Sequence, residues 1–302
     1  MYDAIIVGAG PAGAASAYYL ARAGLKTLLI EKMKLPRFKP CGGAVSLKFL
    51  LSLPFDVSGT IKGKISRLRY FYNNADPFEV ELDSQLAMVN RQEFDCAIVR
   101  AAVGAGAELI DGLAASGLAL ESQAIKVLTG KGIFETKYLI GADGVYSRIG
   151  EWSGLTKKRK INTTLEIELP GLDQDPQTAF IGFGQVRRGY SWSFPKSDAY
   201  SVGIGGRSGE KLKVELDRWL TFLGYSGRRD FKITGHALPE PVIGARLQKG
   251  GLLLAGDAAG LVGPLTGEGI RYAIQSAGIA AQAIIAGEIG SYSRLIYRQI
   301  SS

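Results

Sequence analysis

Ala4-Ile5-Ile6-Val7-Gly8-Ala9-Gly10-Pro11-Ala12-Gly13 is the stretch that decides the fold. Its first four residues are a short continuous apolar run, the pattern of a parallel strand buried on both faces. The glycines then fall as Gly-x-Gly-x-x-Gly. Gly8 permits a tight turn, Gly10 lets backbone approach a pyrophosphate, and Gly13 lets the following helix pack on the strand. That helix is expected from about Ala12 to Ala23, closed by Gly24 at a C-cap position. Its N-terminus offers free N–H groups and a favourable dipole to phosphate. Lys26–Glu31 reads as the second parallel strand. Glu31, 18 residues past Gly13, stands where a carboxylate can accept hydrogen bonds from ribose hydroxyls. A βαβ dinucleotide-binding unit therefore opens the chain.

Working outward, a Pro/Gly-rich loop from Leu35 to Ala44 interrupts the regular pattern. Ile61–Leu82 turns to short strands with Asn73-Asn74 as a turn signal. Helical periodicity returns at Arg91–Val103. Strands are expected at Glu108–Ile110, Leu113–Leu120, Ala124–Leu128 and Gly132–Ile140, the last three as a meander. Residues 161–206 lack helical periodicity and carry aromatic strand-like runs broken by turns such as Arg187-Arg188-Gly189, so an antiparallel sheet is expected. Lys211–Leu223 is an amphipathic helix and Gly251–Ala255 a buried parallel strand. A long helix runs from near Gly267 to about Ala286, and Tyr292–Gln299 forms a last one. Gly203-Ile204-Gly205-Gly206 is expected to bend the chain before the Lys211 helix. The predicted class is α/β (α+β): a dinucleotide-binding parallel-sheet domain (1–56, 88–155 and 245–302) interleaved with an antiparallel-sheet substrate domain (57–87 and 156–244).

Composition narrows the function. At 302 residues, 46% hydrophobic and 21% charged, the chain has the balance of a soluble globular protein. Two cysteines, Cys41 and Cys96, give no disulfide framework and no zinc pair, so a reducing cytoplasm is expected. One histidine, His236, and scattered carboxylates give no metal constellation, and no nucleophile-elbow motif accompanies the histidine. The net charge of +8 fits either a solvated surface or attraction to anionic phosphates. Lys157-Lys158-Arg159-Lys160 is too short to argue for nucleic acid. No targeting segment precedes the first strand, and the apolar stretch Ile279–Ala286 is too short to span a bilayer. Contact with a membrane would be peripheral.

Two later segments favour FAD over NAD. Gly141-Ala142-Asp143-Gly144 ends one strand, with Ser147-Arg148 beyond it. Gly256-Asp257-Ala258-Ala259-Gly260 ends another, and Gly267-Glu268-Gly269-Ile270 opens the long helix. An Asp at a strand end can hydrogen-bond a ribityl or ribose hydroxyl. A glycine-opened helix can direct its dipole at the flavin O2 side, where negative charge develops on reduction. Taken in this order, the segments resemble the aromatic-hydroxylase-like class of flavoproteins. The resemblance implies that Ala12, Gly13, Glu31, Arg91, Ala115, Asp257, Gly269 and Ile270 contact FAD, with Arg91 opening the Arg-x-x-Phe-Asp helix start. It also implies that Asp143 serves the nucleotide domain.

Within that class, Lys39-Pro40-Cys41-Gly42-Gly43-Ala44 and Gly189-Tyr190-Ser191-Trp192-Ser193-Phe194-Pro195 resemble the geranylgeranyl reductase family. The resemblance implies that Cys41, Gly42 and Ala44 lie against the flavin, and that Trp192, Phe194 and Pro195 help wall a substrate cavity. A polyprenyl chain carries no charge, so apolar and aromatic surface must recognise it. The implied reaction reduces C=C bonds of isoprenoid lipids or quinones, with hydride from flavin N5 and a proton from an acid. Cys41 and Tyr190 are candidates for that acid or for cavity wall. NADPH, NADH or ferredoxin are the possible electron donors. Family members usually carry a further C-terminal helical region, so an end at Ser302 predicts a shorter cavity, a partner-supplied wall or a different substrate. Two alternatives stay open. One is a flavin monooxygenase or halogenase acting on an aromatic ring, since Trp192-Ser193-Phe194-Pro195 is similar to the halogenases' Trp-x-Ile-Pro strand. The other is a flavoprotein subunit that needs a partner.

Overall fold

The computed structural model describes residues 1–156, 160–171, 174–197, 199–207, 211–225 and 231–300. Lys157, Lys158 and Arg159 of the basic run lie outside the described residues. In chain order the elements are β1 (Tyr2–Val7), α1 (Pro11–Arg22), β2 (Thr27–Glu31), β3 (Ala44–Ser46), α2 (Leu47–Leu51), β4 (Ile61–Tyr72), β5 (Ala75–Val89), α3 (Arg91–Gly104), β6 (Glu108–Asp111), β7 (Ala115–Leu120), β8 (Ile125–Thr129) and β9 (Gly132–Gly141). They continue as α4 (Arg148–Ser153), β10 (Ile161–Leu169), β11 (Thr178–Phe183), β12 (Tyr190–Pro195), β13 (Tyr200–Arg207), α5 (Leu212–Phe222), β14 (Thr234–Pro239), β15 (Gln248–Lys249), β16 (Leu252–Leu254), α6 (Ile270–Ile285) and α7 (Tyr292–Ile300). No helix among the described residues is long and apolar enough to cross a membrane.

The first compact unit is Met1–Arg37, Asp95–Lys160 and Pro239–Ser302. Its sheet runs β15-β16-β9-β1-β2-β6, parallel from β16 to β6, with β7 and β8 joining β9 as an antiparallel meander. Ile5 and Ile6 of β1 are fully buried, as a strand covered on both faces requires. Val7, Gly141 and Leu254 end their strands in register, so the three following loops share one carboxyl edge of the sheet. Helix α1 has Pro11 in its first turn, where the missing N–H costs nothing, and Gly24 at φ +82° just past its end. Almost all of α1 is buried because its residues are small. A methyl group at Gly256 would come within 2.9 Å of the Ala12 Cβ, so α1 and the turn before α6 pack nearly backbone to backbone. The turn Gly256–Ala259 is a 3-10 helix, and α6 begins at Ile270 rather than at Gly267. Buried Tyr292 of α7 donates its hydroxyl to the Leu254 carbonyl at 2.7 Å, tying the C-terminal helix to β16.

The second unit is Phe38–Phe94 and Ile161–Leu238. Its sheet runs β14-β10-β13-β12-β11-β4-β5-β3. Residues 38–56 and 88–94 group here because Ala44–Ser46 pairs with Leu86–Met88 at the sheet edge. The strands over 61–82 are not short: β4 and β5 have 12 and 15 residues and turn at Asn73-Asn74, whose φ values of 49° and 60° Asn tolerates. The sheet is not purely antiparallel. Thr178–Phe183 runs parallel to Arg67–Tyr72, a pairing between segments far apart in the chain. Gly203-Ile204-Gly205-Gly206 is no bend but the middle of β13. Gly203 must lack a side chain there, because a Cβ would lie 2.3 Å from the Trp192 indole.

Strand alternation divides this sheet into two faces. One face packs Ile167, Leu169, Val202 and Ile204 against Leu216, Trp219 and Leu220 of α5. Trp219 is fully buried, and its indole N–H donates to the Trp192 carbonyl at 3.0 Å. Trp219→Phe keeps an aromatic ring and removes one donor to that carbonyl. It is expected to cost about 1–3 kcal/mol, read as a lower urea midpoint with the FAD content of the folded protein unchanged.

Candidate functional site

The glycine loop of the first unit is set by contacts that only glycine allows. Gly8 sits at φ +103°, and a Cβ there would meet the Ala142 carbonyl oxygen at 2.4 Å. A Cβ on Gly13 would fall 1.8 Å from the Gly8 carbonyl oxygen. Gly10 is different. Among the described residues, its chain neighbours aside, the atom within 4 Å of a Cβ there is a guanidinium nitrogen of Arg37, at 3.6 Å. At Gly8 and Gly13 the fold itself forbids a side chain, whereas Gly10 keeps a cradle open above the start of α1.

Glu31 at the end of β2 is buried, and its two oxygens accept backbone N–H groups from Ala9 (2.7 Å) and Met33 (3.0 Å). Each oxygen keeps a further lone pair for a hydroxyl. Arg37, absent from the sequence-derived site, lies 3.7 Å from Glu31 and 3.2 Å from the buried carboxylate of Asp95. A lone arginine after a loop carries no motif, so only tertiary structure exposes this cluster.

The other two loops behave differently from each other. Asp143 is engaged locally: Ser147 Oγ donates to one oxygen at 2.5 Å and Ile149 N to the other at 3.1 Å. Burial raises its carboxyl above the usual range, and the work it visibly does is to tie the loop to the start of α4. Asp257 lies in the turn before α6, with a carboxylate oxygen 3.4 Å from where a Gly269 Cβ would stand. Gly267 adopts φ +67°, and Gly269 stands at the N-cap of α6, where it brings no side chain to the helix start at Ile270. Ala115 opens β7, paired with Thr129 and two residues past Leu113, whose N–H donates to the Glu31 carbonyl at 2.9 Å.

In the second unit, Tyr190, Trp192 and Phe194 alternate along β12 and share the face away from α5, with ring centroids 5.9 and 6.3 Å apart. Pro195 falls on the other face with Ser191 and Ser193, so alternation removes it from the aromatic wall. Gly42 lies against this wall: a Cβ there would meet the Phe194 ring at 3.0 Å and Trp192 Nε1 at 3.6 Å. Gly43 takes φ +83° because a Cβ would strike the Val89 carbonyl oxygen at 2.2 Å, and Ala44 then enters β3. Cys41 is partly exposed next to Tyr190. Burial pushes the Tyr190 hydroxyl up to about 12, with Cys41 adding in the same direction.

Sequence reasoning missed Glu166. It shares a cross-strand row with Gly203 and Trp192. Trp192 Nε1 donates to Ser201 Oγ at 3.1 Å, and that hydroxyl donates to Glu166 Oε1 at 2.9 Å. Burial pushes the Glu166 carboxyl up to about 6, opposed by Lys196, the Ser201 hydrogen bond and Arg91. Arg91, the first residue of α3, is itself buried. A single Glu in an alternating strand gives no signal by itself, since its row partners arrive from other strands.

The carboxyl edge of the parallel sheet, with its glycine loop, the buried carboxylate of Glu31 and a second helix start at Ile270, is that of a dinucleotide-binding oxidoreductase. The family described as DAO, FAD dependent oxidoreductase, matches residues 3–39. The digeranylgeranylglycerophospholipid reductase of Methanocaldococcus jannaschii is 32% identical over 96% of this chain and 77% of its own. The chain belongs to the geranylgeranyl reductase family. A geranylgeranyl bacteriochlorophyll reductase-like structure from Thermoplasma acidophilum superposes with TM-score 0.89 at 27% identity, covering 99% of this chain and 84% of that one. A flavin-dependent halogenase superposes with TM-score 0.80 at 19% identity, over 99% of this chain and 62% of its own, and shares the fold alone. FAD fits the residues present: Gly10 leaves open the space a Cβ would fill, and Glu31 retains acceptor capacity for ribose.

Two predictions follow from these contacts. Gly10→Ala meets nothing closer than 3.6 Å, so the melting temperature of the cofactor-free protein should hold while FAD affinity falls. Gly13→Ala, whose Cβ would lie 1.8 Å from a carbonyl oxygen, should cost about 3 kcal/mol or more of stability. Thermal melts and FAD titration of the two variants separate the roles. Glu166 titrates near 4.5 when unfolded and about 6 when folded. The folded state thus holds the proton more tightly, and stability present below 4.5 is lost as pH rises through 6. Glu166→Gln should recover about 2 kcal/mol at pH 8 and nothing at pH 4, measured by urea denaturation at both.

Proposed function

We propose that this protein uses FAD to saturate C=C bonds in isoprenoid chains of lipids or quinones. The observation that carries the reading is the uncharged wall of Tyr190, Trp192 and Phe194 with the Cys41-Gly42 loop laid against it. Such a surface recognises a hydrocarbon by area rather than by charge. The relative from Methanocaldococcus jannaschii is named for action on a digeranylgeranyl lipid, which supports the same substrate class here.

In this reading the first unit is the FAD-binding domain. Gly8, Gly10, Ala12 and Gly13 present backbone to the pyrophosphate, Glu31 accepts from the adenosine ribose, and Asp257 accepts from the ribityl chain. Gly267, Gly269 and Ile270 offer the N-terminus of α6 to developing negative charge. The second unit is the substrate domain, and Cys41, Gly42, Ala44 and Arg91 are its proposed contributions to the cofactor. Bound and reduced, FAD supplies the hydride. The chain must supply a dry, apolar surround and a proton at the other carbon of the double bond. Tyr190, raised to about 12, holds its proton tightly and acts as wall. Cys41 remains the proposed donor. A net charge of +8 suits approach to a bilayer with anionic headgroups, where such substrates reside.

The test is anaerobic incubation of the dithionite-reduced protein with geranylgeranyl lipids and prenylquinones. Each saturated bond should add two hydrogens to the product mass. Cys41→Ser should keep FAD bound and slow single-turnover reoxidation of the flavin more than tenfold, about 1.4 kcal/mol of barrier. No mass gain with any prenyl substrate, together with oxygen-dependent modification of an aromatic compound, would overturn the reading in favour of a halogenase or monooxygenase.

A further inference from the structure

The glycine loop Gly8-Ala9-Gly10-Pro11-Ala12-Gly13 contains no cation, and neither does the first turn of α1. A pyrophosphate diester carries two negative charges. Backbone N–H groups and a helix dipole worth about half an elementary charge offset only part of them. In this unit the guanidinium facing the loop belongs to Arg37, whose Nη2 stands 3.6 Å from the Cβ position of Gly10.

Arg37 is held in place before any ligand arrives. Its side chain is 10% exposed, with Nε 3.7 Å from Glu31 Oε2 and Nη2 3.2 Å from Asp95 Oδ2. Glu31 is fixed in turn by the Ala9 and Met33 N–H groups, so the bracing carboxylates do not move freely. A guanidinium has five N–H donors in a rigid fork. The two ion pairs reach it through Nε and Nη2, and Nη2 is also the atom that faces Gly10. A guanidinium whose side chain is nine-tenths buried, and which faces the open side of Gly10, favours an anionic oxygen there.

We propose that Arg37 is a positioning residue for FAD: pre-oriented by Glu31 and Asp95, it receives the pyrophosphate on the open side of Gly10. The inference rests on the FAD-binding reading above. It also gives a role to Asp95, which closes the Arg91-Gln92-Glu93-Phe94-Asp95 segment, since Asp95 orients the arginine without needing to reach the ligand itself.

The test uses the full chain and two fragments of the cofactor. ADP carries the diphosphate and adenosine does not, while both present the ribose to Glu31. Inhibition constants are read by displacement of FAD, followed as the return of flavin fluorescence. Arg37→Gln should weaken ADP at least tenfold, leave adenosine within twofold, and flatten the salt dependence of ADP binding. Arg37→Lys, which keeps a charge, should recover part of the loss. Should Arg37→Gln fail to fold, the isosteric Asp95→Asn, which loosens the guanidinium, should weaken ADP severalfold relative to adenosine. Equal loss of ADP and adenosine, or no change in either, would show Arg37 to be a structural brace and overturn the proposal. Failure of the unaltered protein to bind FAD at all would instead overturn the cofactor reading on which it rests.

Discussion

The carbonyl oxygen of Gly8 lies 1.8 Å from where any side chain at Gly13 would begin. Because of that contact α1 lies directly on the end of β1, closer than helix and strand otherwise approach. With the helix so near, its N-terminus must open toward the carboxyl edge of the parallel sheet. The loops after Gly141 and Leu254 leave from the same edge. The same economy of side chains lets Gly256 approach Ala12, which places the turn carrying Asp257 and the start of α6 beside the glycine loop. One steric constraint thus decides where backbone donors collect.

Around that loop the electrostatics are arranged in two layers. Backbone N–H groups hold Glu31, and Glu31 with Asp95 holds Arg37. Carboxylates removed from water need such partners, because an unpaired one would shift its titration or leave the interior. In the second unit the same rule is only partly met. Glu166 has Ser201 as a hydrogen-bond donor and positive charge from Lys196 and Arg91, yet burial still outweighs them and its carboxyl stays raised. The Ser201 hydroxyl links this carboxyl to the Trp192 indole N–H, so Glu166 and the aromatic wall share one hydrogen-bonded chain.

The two faces of the second sheet divide the labour. One is sealed by α5 through Trp219 and its aliphatic neighbours and gives the unit its core. The other presents Tyr190, Trp192 and Phe194, with Gly203 cleared to admit the indole and Gly42 to bring a loop onto the rings. Glycines in the middle of a strand usually weaken it. Here the loss is offset by close approach of an aromatic ring, so a stretch with the composition of a bend is held as a strand.

By itself the sequence determined what depends on neighbours along the chain. The buried run Ala4–Val7, the glycine spacing, Pro11 and Gly24 at the two ends of α1, the Asn73-Asn74 turn and the alternation of Tyr190, Trp192 and Phe194 are all local, and each has a local physical cause. Pro195, expected with Trp192 and Phe194 in the wall, lies on the opposite face by that same alternation. Tertiary structure alone decided what depends on strands and loops meeting from far apart. The parallel pairing of Thr178–Phe183 with Arg67–Tyr72, the row of Glu166, Gly203 and Trp192, and the cluster of Glu31, Arg37 and Asp95 leave no periodic trace. Side-chain period is fixed by backbone geometry within an element. Which elements lie side by side, and therefore which charges share a buried space, is fixed by how the whole core closes.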